Sequence, residues 1–258
     1  MSPFAYTIAG LFTGIVIGLT GVGGGSLMTP ILVLVFGTSP AAAVGTDLIY
    51  AAATKSIGTL ANGFKGAISW NITGLLGLGS VPAAALTLLL LHSTGPLNGS
   101  TAHIITVFLG YALLITVCAI LAKPQLQVYA TSMTDSLGRW DRAVLTIVVG
   151  AIVGVFVTLS SVGAGALGVT ALVLLYPRLS MPQIVATDMA HSVPLALVAG
   201  LGHWLMGSVQ WGVLGWLLLG SIPGILIGSA LTPRISDVWL RRLLALVLAI
   251  VGAKLVFS

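Results

Sequence analysis

The sequence predicts an all-α membrane protein: a polytopic transmembrane helical bundle made of two inverted repeats. Three observations carry this. First, charge is scarce. Of 258 residues, 57% are hydrophobic and 6% charged, against about 25% charged in an average soluble domain. Ten basic and five acidic residues cannot cover a folded chain of this size in water, and the mean hydropathy is +1.14. Second, the apolar runs are long and continuous, as membrane helices require. The alternating pattern of an outer-membrane barrel is absent. Third, the chain repeats itself about its middle.

These observations exclude a soluble enzyme, a disordered chain and a nucleic-acid-binding domain. The net charge of +5 forms no dense basic patch. One cysteine, Cys118, excludes a disulfide framework and a cysteine metal site. The start, Met-Ser-Pro-Phe-Ala-Tyr, has no basic n-region, so the first apolar stretch reads as part of the mature protein. No cofactor is expected.

Apolar segments fall at 4–20, 26–37, 41–62, 70–92, 101–122, 141–160, 165–176, 182–205, 209–230 and 240–257. Glycine makes up 33 residues, about 13% against a usual ~7%, which permits close backbone approach and helix breaks. The longest polar stretch lies around 123–142. The chain therefore divides into a first repeat (1–122), a connecting loop (123–140) and a second repeat (141–258).

The register of the repeat is visible in residues that apolar chance does not match. Thr-Gly-Val-Gly-Gly-Gly-Ser-Leu (20–27) matches Ser-Ser-Val-Gly-Ala-Gly-Ala-Leu (160–167). After one insertion, Val44, Thr46 and Asp47 fall on Val185, Thr187 and Asp188. Gly66, Trp70, Gly74, Gly79, Ser80 and Pro82 fall on Gly207, Trp211, Gly215, Gly220, Ser221 and Pro223.

The orientation of the halves follows from the basic residues. Segment 26–37 rises about 18 Å, too short for a ~30 Å core. If it pairs with 4–20 as a re-entrant hairpin, each half has a broken helix pair plus three full spans, and the second half is inverted. Lys65, Lys123, Arg139, Arg142, Arg178, Arg234, Arg241 and Arg242 then share one side, with Lys254 opposite. If 4–37 crosses once, the basic residues split between the sides. The hairpin arrangement is preferred, with basic loops cytoplasmic and both termini periplasmic.

Candidate functional residues sit at the breaks. Gly23, Gly24, Gly25 and Ser26 interrupt one apolar run; Gly163, Ala164, Gly165 and Ala166 interrupt its equivalent. A helix restarting there offers unsatisfied N–H groups and a positive dipole end, a site for an anion. Interrupted helices in inverted repeats commonly form transporter sites near mid-membrane. No Gly-Lys-Ser/Thr follows, so this is not a phosphate-binding loop.

Asp47 and Asp188 each lie about 10 Å into a helix. A buried ionisable group costs at least about 2.5–3.5 kcal/mol there and usually has a task. Thr46 and Thr187 precede them; Tyr50 and His191 follow at i+3 on the same face. This set reads as a coupling or gating group, or as carboxylates capping the broken helices. Lys55 lies about 12 Å along the helix from Asp47 and ~80° around it, so it needs another partner or a polar cavity; it reads as a cation that attracts an anionic substrate, or as a side chain snorkelling to an interface. Its equivalent is Ala196. His203, next to Trp204, is expected as an interfacial anchor, and the tryptophans near segment ends as aromatic belts.

Gly-Val-Gly-Gly-Gly-Ser…Pro (21–30), Val-Gly-Thr-Asp-Leu (44–48) with Lys55, Ala-Thr-Asp-Met-Ala-His (186–191), Gly-His-Trp (202–204) and Gly-Ser-Ile-Pro-Gly (220–224) resemble the sulfite exporter TauE/SafE family of bacterial membrane proteins. The resemblance spans nearly the whole chain. It implies a secondary transporter, by its family name an exporter, of sulfite or sulfonates such as sulfoacetate, in the bacterial inner membrane. The second half departs from the glycine pattern at Ala164 and Ala166. The expected partners are a small anion, the lipid bilayer and a coupling H+ or Na+, with a homo-oligomer left open and no nucleic acid. Two other readings stay open: a passive anion channel, and an intramembrane aspartyl protease, which would need Asp47 and Asp188 to share a proton.

Overall fold

The computed structural model describes residues 2–20, 25–63, 66–93, 107–122, 138–162, 165–231 and 237–257. All regular structure among them is helical. In the first half α1 spans Pro3–Thr20, α2 Gly25–Leu34, α3 Pro40–Gly63, α4 Trp70–Ser93 and α5 Val107–Ala122. In the second half α6 spans Arg139–Ser160, α7 Ala166–Leu175, α8 Met181–Leu205, α9 Trp211–Leu231 and α10 Asp237–Phe257.

Four helices (α4, α6, α8 and most of α9) are long and apolar enough to cross a membrane. The 24-residue α3 is not among them, because Thr46, Asp47, Thr54, Lys55 and Ser56 lower its hydropathy. Both short helices stand where the sequence predicts, with ten residues each, or about 15 Å. Their preceding arms are longer than half of a symmetrical hairpin. The 22 residues of α6 rise about 33 Å.

The halves interlock. α1 packs chiefly on α9, and its equivalent α6 packs on α4; α3 packs on α8. Glycine decides how closely. Gly10 and Gly14 lie against the backbone of Leu217 and Ser221, while Gly220, Gly224 and Gly228 lie against Thr7, Leu11 and Ile15. The contacts climb both chains together, so α1 and α9 run parallel. Gly79, Gly150 and Gly154 join α4 and α6 the same way, against Ile147, Leu76 and Ser80. Across α3 and α8 the order reverses, with Gly45 against the Ser208 carbonyl and His203, Gly200 near Ile49 and Gly58 near Met189. These two helices are antiparallel, and at Gly58 and Gly200 a side-chain end makes the nearest contact.

Polarity is distributed as a membrane demands. Leu78, Leu86, Leu89 and Leu90 of α4, Val144, Val148 and Ile152 of α6, and Leu219, Ile222 and Leu226 of α9 are exposed. All the buried charged and histidine side chains among the described residues lie on α3 and α8 (Asp47, Lys55, Asp188, His191 and His203), with the buried hydroxyls of Thr46, Thr54, Thr187 and Ser192 beside them and Thr29, Ser80, Ser160, Ser161 and Ser221 on other elements.

Candidate functional site

Of the glycine breaks, Gly23, Gly24, Gly163 and Ala164 lie outside the described residues. Their edges do not. Gly25 and Ser26 open α2. Gly165 precedes α7 at φ 129°, and buried Ala166 opens it. That φ strains any residue with a Cβ. Ser161, after the last turn of α6, is the lone non-glycine residue at positive φ among the described residues, at 58°.

Asp47 is fully buried and reaches the first turns of α2. The Thr29 backbone N–H donates to its Oδ2 at 3.1 Å, and the Thr29 hydroxyl donates to the same oxygen. The opposite oxygen, Oδ1, has no hydrogen-bond partner. The Ser161 hydroxyl comes near this carboxyl from the end of α6, but outside hydrogen-bonding geometry. Asp47 therefore joins the start of the first broken helix to the threshold of the second break.

Asp188 occupies the equivalent place on α8. A Cβ on Gly168 would strike its Oδ1, so this carboxyl lies on the first turn of α7. Val169 stands where Thr29 does, and supplies no hydroxyl. Asp188 Oδ1 also lacks a hydrogen-bond partner. No hydrogen bond joins Asp47 to Asp188 among the described residues, so the two do not form the proton-sharing dyad of an aspartyl protease.

Lys55 resolves the question its spacing raised. It is 2% exposed, which excludes snorkelling. Its charge acts first on Asp188 and then on Asp47, and it also reaches His191. The partner expected elsewhere is the carboxylate of the other half.

The i+3 residues turn away to equivalent serines. His191 Nε2 lies 2.8 Å from Ser80 Oγ on α4. Tyr50 OH lies 3.0 Å from Thr13 Oγ1 on α1, with Ser221 of α9 beside it. The threonines do likewise. Thr46 Oγ1 accepts the Gln210 N–H and Thr187 Oγ1 accepts the Ser69 N–H, both at 3.0 Å. Each satisfies an N–H just before α9 or α4, which helix geometry leaves without a partner. The expected interfacial role of His203 is corrected. It is 1% exposed, and its Nε2–H donates to the Thr158 carbonyl at 2.9 Å, near the end of α6. Sequence reasoning missed Thr29, Ser80, Ser161 and Ser221. Their equivalence (Ser80 with Ser221) was the one signal available.

The family model for "Sulfite exporter TauE/SafE" matches residues 6–255. The chain is 37% identical over 250 residues to "Probable membrane transporter protein YjnA" of Bacillus subtilis (strain 168), covering 96% of this chain and 98% of the relative. It is 29% identical over 249 residues to "Probable membrane transporter protein YdhB" of the same strain, covering 95% and 96%. No solved structure matches the chain.

Proposed function

The chain belongs to the sulfite exporter TauE/SafE family of membrane transporters, and from that premise we propose that it is a secondary exporter of small sulfur-containing anions, such as sulfite or sulfoacetate, across the bacterial inner membrane. The observation that carries this reading is Lys55. A fully buried ammonium on α3 faces the carboxylates lying on the first turns of α2 and α7. An anion at this level meets one fixed cation and the unsatisfied N–H groups opening two short helices. Gly25, Ser26, Gly165 and Ala166, with Gly23, Gly24, Gly163 and Ala164, would line it; Asp47, Asp188 and His191 would couple or gate, with Thr46, Thr187 and Tyr50 holding them in place.

The proposed architecture is two inverted repeats, 1–122 and 141–258, each with a broken helix pair, with basic loops cytoplasmic and termini periplasmic. The antiparallel α3 and α8 support inversion. Alternating access would then divide the molecule across its halves. One rigid group is α1, α3 and α9, the other α4, α6 and α8. Glycine-locked backbone contacts stiffen α1–α9 and α4–α6 throughout, while the α3–α8 seam has backbone against Gly45 but side-chain ends against Gly58 and Gly200 and would be the one to move.

Proteoliposome flux tests this. Radiolabelled sulfite and sulfoacetate, with taurine and sulfate as comparison anions, are loaded under imposed ion gradients. Uptake or release of sulfite or sulfoacetate, lost in Lys55→Met, is expected. Accumulation against the anion's own gradient excludes a passive channel. Wild-type protein that moves none of these anions overturns the reading.

A further inference from the structure

Six polar bonds made by α3 and α8 sort the helices into two bodies. Asp47 bonds Thr29 of α2, Tyr50 bonds Thr13 of α1, and Thr46 bonds the Gln210 N–H before α9. His191 bonds Ser80 of α4, His203 bonds the Thr158 carbonyl of α6, and Thr187 bonds the Ser69 N–H before α4. Each of the six stays on its own side of the α3–α8 seam. The short helices join the same bodies. Met28 and Leu32 of α2 are buried with Ile17, Tyr50 and Leu217, and Phe36 beyond α2 stacks on Tyr6 of α1 with centroids 4.2 Å apart. Leu172 and Val173 of α7 are buried with Leu76 and Ile184, and Tyr176 OH beyond α7 lies 2.8 Å from Thr146 Oγ1 of α6. Body one is therefore α1, α2, α3 and α9. Body two is α4, α6, α7 and α8.

An apolar cluster fills much of the seam. Val44 and Leu48 of α3 are buried with Ala84, Val153, Val157, Leu195 and Ala199 of body two, and attraction of this kind is non-directional. Lys55 adds a charge that reaches across. The contacts of Gly200 with Ile49 and of Gly58 with Met189 set the register of the antiparallel pair. Interpolating between them puts Lys55 level with about Val193. Asp188 lies about 7 Å along the axis from that level, and Asp47 about 12 Å away on the helix of Lys55 itself. The Lys55 charge acts in the same order, on Asp188 of body two and then on Asp47 of body one. Lys55 and Asp47 ride on one helix, so sliding the seam leaves their spacing fixed. The spacing of Lys55 from Asp188 changes with any such movement.

We propose that the attraction between Lys55 and Asp188 locks the two bodies together, and that the transported anion unlocks them by taking the place of Asp188 at the Lys55 ammonium. The force across the seam changes sign at that step. Without an anion, Lys55 draws α8 towards α3. An anion held by Lys55 sets a like charge beside Asp188, and the two repel strongly where the effective dielectric is low. Asp188 is fixed to body two, on α8 and against the first turn of α7 at Gly168, so its displacement carries the body with it. The lock is single, because Ala196 stands where the repeat would place a second lysine. The inference rests on the transport reading for its anion, but the lock can be read without one.

The test measures the seam in the full chain, in nanodiscs of phosphatidylethanolamine and phosphatidylglycerol. On a Cys118→Ser background, thioether-linked spin labels are placed at two exposed sites, Leu219→Cys on α9 and Leu86→Cys on α4. Each body carries one label, and pulsed EPR gives the distribution of distances between them. With gluconate as the only small anion, one dominant distance is expected. Asp188→Asn and, separately, Lys55→Met raise the ratio of a second distance to the first by at least about tenfold, equivalent to about 1.4 kcal/mol, with no substrate present. Asp188→Asn keeps the side-chain shape, so the test stands should Lys55→Met fail to fold. Asp47→Asn keeps the wild-type distribution. Potassium sulfoacetate moves the wild type towards the second distance and adds nothing in Lys55→Met. A wild-type distribution in Asp188→Asn, or equal loosening by Asp47→Asn, overturns the lock. Sulfoacetate that is carried in the flux assay but leaves the distances unchanged overturns the unlocking. Should no sulfur anion be carried, loosening in Asp188→Asn still supports the lock while the transport reading falls.

Discussion

Two pairs of equivalent glycines should respond to alanine with opposite signs. Gly79 and Gly220 occupy the same repeat position on α4 and α9, and so do Gly74 and Gly215. A Cβ on Gly79 would strike the carbonyl of Ile147 and the amide of Ala151; on Gly220 it would strike those of Thr7 and Leu11. Each neighbour is helix backbone, which cannot swing aside as a side-chain end can. The helices must separate, and overpacking of this kind costs about 1–3 kcal/mol. A Cβ on Gly74 or Gly215 meets nothing within 4 Å, and alanine in a helix interior is favoured over glycine by about 0.5–1 kcal/mol. Gly79→Ala and Gly220→Ala should therefore destabilise, and Gly74→Ala and Gly215→Ala should stabilise. The span between the pairs is about 1.5–4 kcal/mol by the same ranges. Denaturant titration of the purified protein in mixed micelles measures it. If Gly79→Ala and Gly220→Ala unfold at wild-type denaturant concentrations, backbone contact does not hold α4 to α6 and α1 to α9.

Three further outcomes follow from the polar interior. Thr46→Val and Thr187→Val each strand one N–H, of Gln210 or Ser69, and should cost about 1–3 kcal/mol apiece; the double variant should add both losses in the same titration. Lys55→Met strands Asp188 and should cost about 3–5 kcal/mol. Adding Asp188→Asn should restore most of that stability, but no sulfite flux. Ser80→Ala removes the His191 Nε2 partner and should slow flux more than the equivalent Ser221→Ala, because Tyr50 keeps its bond to Thr13; equal effects would show that His191 has no special part.

Much of this architecture was legible in the sequence because duplication writes the same constraint twice. Gly66 and Gly207 aligned, and both adopt positive φ, at 64° and 74°. Thr46 and Thr187 aligned, and each bonds the residue before the other half's tryptophan. The exchange itself was not legible. Period and spacing describe one helix at a time, whereas α1 meeting α9 is a choice of partner among similar apolar faces. His203 misled for a related reason. A histidine beside Trp204 near a helix end reads as interfacial, and only the carbonyl of Thr158 at the end of α6 explains its burial. Lys55 was legible as a buried charge, and its partner was not, since Asp188 lies 133 residues further along the chain.

The chemistry sits where the repeat is broken. Symmetry supplies the skeleton: two short helices, two carboxylates on their first turns, two threonines locking them. If both halves were chemically alike and inverted, the inward and outward states would be equal in energy, and two carboxylates would face two helix ends with no cation between them. Four departures change that. Lys55 replaces Ala196, Thr29 replaces Val169, Ser161 replaces Gly21 and His191 replaces Tyr50. The first sets one ammonium between the two carboxylates, acting first on Asp188 and then on Asp47; the second gives Asp47 a hydroxyl donor that Asp188 lacks. A bias of a few kcal/mol between the two states is enough to make one of them a minor population, and buried side-chain differences of this kind are large enough to supply it. The residues to mutate in search of direction and coupling are therefore those with no twin.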